Sequence, residues 1–251
     1  MNSPAPKSKP LNYERLYADE THLVVSKPAG MGCLPDRRDM GRPNLLELLR
    51  LDYPTATLVH RIDIGTSGIV LVALSSEAMS FLSQQFEART VHKEYLTYVS
   101  GFVPFEDLTV RRPVGPILYK DGGRVVRKGG PSETSFIRVR NYRGYARLLC
   151  HPLTGRTHQI RIHLSDMGLP IVGDLEYGGK FPLLSEFKRG YKSSRKQEGK
   201  EDAEKPLISR TCLHAHRIVY LPPGCTSMRE QVCPEPADLE IFTNKLDKYA
   251  R

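Results

Sequence analysis

The chain has 251 residues, of which 39% are hydrophobic, and its 37 Lys and Arg against 28 Asp and Glu give a net charge of +9 and a pI near 9.3. This length and apolar content are enough for a sizeable core, as one large domain or two lobes, and exclude a largely disordered chain. No apolar run reaches the length of a membrane span, so we expect a soluble protein without a membrane partner. The positive charge makes a polyanion the first candidate partner. Taken alone, however, this charge is more often that of a soluble protein with a basic surface.

The first ten residues, 1–10, are rich in Pro, Ser and Lys and lack an apolar segment. They predict a disordered tail rather than a signal peptide. The next clear element is a strand from Leu23 that Pro and Gly interrupt by Gly30. Lys27 lies in it, and we expect a solvated lysine at the strand end, with contact to a phosphate as the alternative.

Two helices are predicted in the first half of the chain. Asn44 heads a variant of the capping box with Glu47, and the helix that follows should end before Pro54. A second helix is predicted from Ser76 to Arg89, because its apolar residues recur at steps of three and four. We expect both helices to serve as scaffold.

The stretch VHRIDIGTSG, residues 59–68, has the strongest local signal for chemistry. Arg61 and Asp63 are two residues apart on what is predicted to be an extended segment, so their side chains should share one face. Turn-forming residues follow up to Gly68, and a buried strand is predicted at 69–74. Asp63 is therefore expected at a strand end beside a tight turn, where a rigid element positions a group and the loop leaves it accessible.

The second half of the chain predicts four more strands, at about 93–101, 135–141, 146–151 and 213–221. Thr157 is expected to cap a helix that ends at Gly168 and Pro170. Arg161 lies at the edge of the buried stripe of this helix. The methylene groups of its side chain should pack against the core, while its guanidinium reaches into a cleft.

Two polar segments interrupt these elements. Residues 119–130 contain four cations and four glycines, and they predict a mobile basic loop or hairpin. Such a loop suits contact with a phosphate backbone through Arg124, Arg127 and Lys128, and an ordinary solvated hairpin is an equally weighted alternative. Residues 181–205 are rich in Lys, Ser, Gly and Glu and predict a mobile insertion.

Cysteine usage indicates the compartment. The number is odd and no CxxC pair occurs among Cys33, Cys150, Cys212, Cys225 and Cys233. We therefore expect reduced thiols in a cytoplasmic protein. Cys212, His214 and His216 lie close together, but their spacing fits no common zinc template, so ordinary strand roles and no metal site are expected.

Two segments carry a family resemblance. HRIDIGTSG, residues 60–68, resembles the HRLD-x-x-TSG signature of the RluA family of pseudouridine synthases, and LTGRTHQIRIHL, residues 153–164, resembles the TGRTHQIRVH segment of the same family. Two long matches in the right order are far more specific than one short motif. The resemblance implies an α+β fold with a central mixed, largely antiparallel sheet, flanking helices and an RNA-binding cleft. It also implies one catalytic domain over 11–251, with no separate S4 module seen.

The resemblance implies an enzyme that isomerises uridine to pseudouridine in a structured tRNA or rRNA stem-loop, without a cofactor. We expect a monomer. Within this family, the residues at 52–54 and 69–74 favour the branch that modifies a tRNA anticodon stem-loop and a similar rRNA hairpin. A catalytically silent RNA-binding or ribosome-assembly factor is the alternative. A hydrolase ranks last because no second acid is identifiable.

The same resemblance assigns roles to individual residues. A carboxylate suits attack on the sugar carbon, so Asp63 is the expected nucleophile. Arg161 is expected to hold it ionised through a bidentate contact, with Arg156 as the fallback. Tyr95, in a K-x-Y segment like that of the family, is expected to stack on the uracil and assist proton transfer. Arg61 is expected to occupy the position that the flipped base leaves.

The expected RNA-binding residues are cations: Arg61, Arg124, Arg127, Lys128 and Arg156. For Arg61 the alternative is a structural salt bridge. His60 is expected to point the other way, into packing.

Overall fold

The structure, a computed structural model, describes residues 12–36, 39, 41–115, 117–120, 123–126, 129–188, 190–191, 196–197, 200–201 and 204–251. The side chains of 117–120, 123–126, 196–197 and 200–201 lie outside this description, as do the predicted tail at 1–10 and the cations Arg127 and Lys128. Within the described ranges, no helix is long and apolar enough to cross a bilayer.

The helices in chain order are α1 (Leu45–Asp52), α2 (Ser76–Glu87), α3 (Gln159–Asp166) and α4 (Ala237–Tyr249), with short 3-10 helices at Leu175–Tyr177 and Leu184–Glu186. The strands are β1 (Glu14–Ala18), β2 (His22–Lys27), β3 (Thr57–Leu58), β4 (Ser67–Ala73), β5 (His92–Ser100), β6 (Asp107–Arg111), β7 (Ile117–Lys120), β8 (Gly123–Val126), β9 (Glu133–Tyr142), β10 (Tyr145–Pro152), β11 (Lys196–Gln197), β12 (Lys200–Glu201), β13 (Leu213–Tyr220) and β14 (Arg229–Val232).

One ten-stranded sheet organises the fold. Its main path runs β1-β2-β4-β13-β5-β10-β9-β6, with β14 beside β13 and β3 beside β4. The strand pairs described in this sheet are antiparallel, except for the parallel contact of β13 with β4. The predicted α+β fold with a mixed, largely antiparallel sheet is thereby confirmed.

The ends of the helices follow from local chemistry. The Asn44 side chain accepts a hydrogen bond from the backbone of Glu47 at 3.1 Å, so α1 begins where the sequence predicted. The Ser75 hydroxyl caps α2 in the same way. The predicted Thr157 cap of α3 is wrong, because the residue before α3 is His158, in a left-handed conformation with no capping side-chain bond.

Two apolar clusters pack against the sheet. One is built around β2 and β4 with α1 and α2, and the other around β5 and β10 with α3 and α4. Tyr95, on β5, packs against both clusters. The middle of the sheet, where Tyr95 lies, is thus the junction between the two halves of the core.

Gly68 sets how closely β4 approaches the centre of the sheet. Its φ is +110°, and a Cβ there would lie 2.2 Å from the carbonyl oxygen of Ala215 on β13. Only glycine fits such a close backbone approach. Ala215 pairs with Gly68 on one side and with Tyr95 on the other. The register therefore brings the loop before β4 next to Tyr95.

Part of the segment 181–205, predicted as a mobile insertion, packs on the core. Phe187 is buried at 2% exposure, and its carbonyl oxygen accepts a hydrogen bond from Arg143 at 2.6 Å. The adjacent Glu186 accepts a bond from the hydroxyl of Tyr145 at 2.5 Å. A few apolar residues in a polar stretch were enough to dock this segment on the core. Residues 192–195, 198–199 and 202–203 lie outside the described part of the chain.

Candidate active site

The segment that carries Asp63 is a loop, so the predicted strand geometry at this point is wrong. β3 ends at Leu58, and the reason is His60, whose ring Nε2 accepts the backbone N–H of Leu71 at 3.1 Å. A side chain thus takes the donor on β4 that another strand residue would have used. The chain then turns, with Thr66 donating to the Asp63 carbonyl at 3.1 Å.

Side chains in this loop still alternate. Ile62 is buried at 7% exposure, whereas Arg61 is exposed and Asp63 half-buried. His60 stacks on Phe86 at 4.9 Å between ring centroids, away from the cleft, as predicted. Arg61 and Asp63 both line the cleft described below, although no strand holds them there.

Asp63 has two basic neighbours across the cleft. Its Oδ2 lies 3.5 Å from Nη1 of Arg161, and its Oδ1 lies 3.7 Å from Nε2 of His158. Both partners come from the TGRTHQIR segment, so the structure brings the two motifs together. His158 was not identified from the sequence. Its position within the motif was the one available signal.

Arg161 is held mainly by other carboxylates, and the predicted bidentate contact with Asp63 is wrong. Its Nε and Nη2 donate to the two oxygens of Asp174 at 2.6 and 2.7 Å, and Nη2 also donates to Glu176 at 2.9 Å. Burial by itself lowers the pKa of Arg161, but the bonds and charge of Asp174, with the charges of Asp63 and Glu176, raise that pKa above its ordinary value. Arg161 therefore stays a cation although it is only 8% exposed.

Tyr95, on β5, lines a smaller pocket that adjoins this cleft. It shares a pocket wall with Asp63, Lys93 and Arg161. Burial raises the pKa of the Tyr95 hydroxyl above its ordinary value, and the negative charge of Asp63 raises it further. The phenol is therefore neutral at physiological pH and retains its proton as a donor.

The main cleft has a volume of about 750 Å³, large enough for a nucleotide. A smaller pocket on the Tyr95 side shares its wall, and Asp63, His158 and Arg161 line both. Of the predicted RNA-binding residues, Arg61 and Arg156 line both pockets and are exposed. The backbone of Arg124 lies on β8, in a hairpin with β7.

Gln159 explains the shape of the loop before α3, and the sequence reasoning missed it. Its Oε1 accepts from the Thr154 hydroxyl at 2.7 Å and from the Arg156 backbone at 3.0 Å. Its amide nitrogen donates to the Glu133 carbonyl at 2.9 Å. The buried amide thus fixes the Thr154–Arg156 turn against β9, which places Arg156 beside the cleft.

Lys27 differs from both expectations for it. The residue is fully buried, and its Nζ donates to the carbonyl oxygens of Pro28, Met31 and Ile64 at 3.0, 2.8 and 3.4 Å. Burial lowers its pKa to about 8. Because Ile64 directly follows Asp63, Lys27 ties the aspartate loop to the turn after β2.

The histidines near Cys212 have ordinary partners. His214 lies 3.0 Å from the Ser67 hydroxyl, and His216 lies 2.8 Å from the carbonyl oxygen of Cys233. Cys212 is fully buried in the core.

Comparisons with known proteins show what this chain is similar to. A sequence model of the family described as RNA pseudouridylate synthase matches residues 21–166. Ribosomal large subunit pseudouridine synthase D of Xanthomonas campestris is 34% identical over 251 residues, with 96% of this chain and 71% of that protein covered. Dual-specificity RNA pseudouridine synthase RluA of Escherichia coli is 35% identical over 173 residues, with 64% and 75% covered. The solved structure titled Human RNA Pseudouridylate Synthase Domain Containing 1 aligns with a TM-score of 0.67 at 27% identity, over 92% of this chain and 87% of that one.

The match at 34% identity spans nearly the whole chain, and the family model covers both the loop of Asp63 and the helix of Arg161. The chain therefore belongs to the RluA family of RNA pseudouridine synthases, which are isomerases acting on uridine in RNA.

Proposed function

We propose that this enzyme isomerises a uridine in a structured tRNA or rRNA stem-loop, with Asp63 as the nucleophile. The observation that carries the proposal is the contact of the half-buried Asp63 carboxylate with the buried cation Arg161, at the wall of the smaller pocket that Tyr95 also lines. Isomerisation breaks the bond from C1′ to the base, turns the base and joins C1′ to the C5 carbon. It needs no redox equivalent.

The first step falls to Asp63. Its carboxylate attacks C1′ or stabilises the positive charge that develops on the sugar as the base leaves. Arg161 lies beside the carboxylate and supplies a positive charge 3.5 Å from its Oδ2. Asp174 and Glu176 fix the guanidinium, so Arg161 presents Nη1 to Asp63 without reorganising.

The later steps fall to Tyr95. A flat ring beside Asp63 can hold the detached uracil by stacking while it turns. After the base rejoins through its C5 carbon, a proton must leave that carbon. The neutral hydroxyl of Tyr95 relays this proton, directly or through water: it accepts the proton from C5 as it gives its own toward N1 of the uracil, which lost its bond to C1′, so that no net proton is gained or lost.

The target nucleotide must leave its stack to reach Asp63, at a cost of a few kcal/mol. Arg61, exposed at the mouth of the cleft, takes the vacated place and stacks on neighbouring bases. Arg156 contacts the phosphate backbone, as do Arg124, Arg127 and Lys128 of the glycine-rich segment. These contacts supply affinity without reading bases.

We propose both tRNA and rRNA as substrates. One relative is named a ribosomal large subunit pseudouridine synthase and another a dual-specificity RNA pseudouridine synthase, and residues 52–54 and 69–74 resemble the branch that modifies a tRNA and an rRNA hairpin. We also propose that the enzyme acts as a monomer. A cytoplasmic location is proposed because all five cysteines are free thiols.

The test compares the wild type with Asp63→Ala on total tRNA and ribosomal RNA from cells that lack the gene, with pseudouridine mapped chemically. The wild type should form pseudouridine at a defined site, and Asp63→Ala should form none. If neither protein forms any, the silent RNA-binding alternative replaces the proposal. If Asp63→Ala remains active, Asp63 is not the nucleophile.

A further inference from the structure

His158 is a neighbour of Asp63 to which the proposed mechanism gives no role. Its Nε2 lies 3.7 Å from Asp63 Oδ1, beyond the range of about 3.2 Å for a direct hydrogen bond. Both residues line the cleft, with side-chain exposures of 26% for His158 and 28% for Asp63. Both atoms are therefore accessible from the cleft and do not bond to each other.

The backbone of His158 is in a left-handed conformation, with φ of 55° and ψ of 22°. This conformation is uncommon for residues other than glycine, although histidine adopts it more often than most. Its side chain does not cap α3. Strained residues of this kind often serve a site, so a role for the imidazole itself is indicated.

Tyr177 fixes the other side of the ring. Its hydroxyl lies 2.8 Å from His158 Nδ1, and the two rings meet edge to face at 5.6 Å. Tyr177 is buried at 4% exposure and also lies under the Arg161 guanidinium, 4.6 Å from its ring centroid. One buried tyrosine therefore braces both basic neighbours of Asp63 and leaves Nε2 facing the cleft.

The carboxylate decides where the imidazole carries its proton. An unprotonated Nε2 would place a lone pair opposite Asp63 Oδ1, which is unfavourable, whereas an Nε2–H is attracted to it. Tyr177 then donates its hydroxyl hydrogen to Nδ1. Glu176, half-exposed and 3.8 Å from Nδ1, opposes this arrangement more weakly. The cleft thus presents a donor, Nε2–H, beside an acceptor, Oδ1.

A single oxygen atom can lie about 2.8 Å from both of these atoms, because they are 3.7 Å apart. A hydroxyl suits that place, since it accepts from Nε2 and donates to Oδ1. We propose, on the basis of the proposed function, that this hydroxyl is the 2′-OH of the target uridine and that His158 is the residue that recognises it. Asp63 must reach C1′, and the 2′-OH is attached to the adjacent carbon. DNA lacks this hydroxyl, so His158 makes the site selective for a ribonucleotide.

The test measures single-turnover rates on a substrate stem-loop that carries either uridine or 2′-deoxyuridine at the target position. Removal of the hydroxyl also changes the intrinsic reactivity of the glycosidic bond, but it does so equally for every variant. The informative quantity is therefore the ribo-to-deoxy rate ratio of each protein. His158→Asn is the main variant, because asparagine tolerates the left-handed backbone but is too short to place a donor at Nε2.

The ratio should fall at least about fivefold from the wild type to His158→Asn. The same hydrogen bond is lost when the 2′-OH is removed from the substrate and when the imidazole is removed from the protein, so the variant should be less sensitive to the missing hydroxyl. His158→Gln, which returns an amide donor, should recover part of it. Tyr177→Phe, which releases Nδ1, should lower the ratio in the same direction and carries the test if His158→Asn does not fold. His92→Ala, at an exposed histidine outside the cleft, should keep the wild-type ratio.

An equal ratio in the wild type and in folded His158→Asn would overturn the inference, because His158 would then affect rate without sensing the hydroxyl. That result leaves Asp63 catalysis intact. A wild type that forms no pseudouridine at all overturns the proposed function and this inference together.

Discussion

Asp63 and Arg161 meet through one pair of atoms, Oδ2 and Nη1, 3.5 Å apart, while the same guanidinium makes its close bidentate contact with Asp174 at 2.6 and 2.7 Å. Arg161 is thus anchored by a buried carboxylate, and Asp63 makes the looser contact. This division suits a reaction in which the Asp63 carboxylate has to move toward the sugar while its counter-ion stays in place.

Asp174 is expected to be a main determinant of local stability. Asp174→Ala leaves Arg161 charged and buried without its bidentate partner, so the free energy of unfolding should fall by about 3–5 kcal/mol. Glu176→Gln is the matched control, because Glu176 is 46% exposed and should cost less than about 1 kcal/mol. Urea denaturation followed by circular dichroism measures both. Equal effects of the two substitutions would contradict this assignment.

Tyr95 is expected to contribute its ring to binding and its hydroxyl to chemistry. Tyr95→Phe should keep RNA affinity near the wild-type value and slow single-turnover isomerisation by about a hundredfold. Tyr95→Leu should lose the stacking contact as well, and with it about 1–3 kcal/mol of the interaction with the base. If Tyr95→Phe reacts at the wild-type rate, the hydroxyl has no part in proton transfer.

The sequence predicted the sheet class, the cap of α1, and Asp63, Tyr95 and Arg161 among the residues that lie close together. These features depend on local chemistry and on two long motifs. It did not predict the partners of Arg161, because Asp174 and Glu176 approach through a 3-10 turn that no periodic pattern marks.

The burial of Lys27 was also beyond the sequence, since its three carbonyl partners come from two separate turns. The Asp63 segment was predicted as a strand because its polar and apolar residues alternate. A single side-chain contact, from His60 to the backbone of Leu71, ends the strand instead.

Arg156 is expected to contact phosphate in the bound RNA. Arg156→Ala should weaken binding across different RNA sequences and lower the slope of log affinity against log salt by about 0.7–0.9, the value for one phosphate contact. Arg111→Ala is the control, because Arg111 lies outside the cleft and pairs with Glu133. Filter binding over a salt series measures both slopes. An unchanged slope for Arg156→Ala would remove it from the RNA-binding face.

Lys27 is expected to make stability depend on pH in the alkaline range. Burial lowers its pKa from 10.5 to about 8, so between these values the unfolded chain holds the proton and the folded chain does not. The unfolded state then binds more protons, and stability rises with pH by up to about 3 kcal/mol across that interval. Below pH 8 both states are protonated and this contribution is constant.

The measurement is the difference in unfolding free energy between the wild type and Lys27→Met at pH 7, 8, 9 and 10. The contributions of the other titrating groups are the same in both proteins and cancel in this difference. The difference should shift in favour of the wild type above pH 8. Lys180→Met, at an exposed lysine, should give a difference that stays flat. A flat difference for Lys27→Met as well would mean that Lys27 keeps its ordinary pKa.

The central claim, that Asp63 is the nucleophile, is tested most directly by Asp63→Asn, which keeps the shape of the side chain and removes its charge. On a stem-loop that the wild type modifies, we expect single-turnover pseudouridine formation to fall at least about a thousandfold, with the RNA dissociation constant changed by less than about threefold. A rate within about tenfold of the wild type, with the same affinity, would contradict the account.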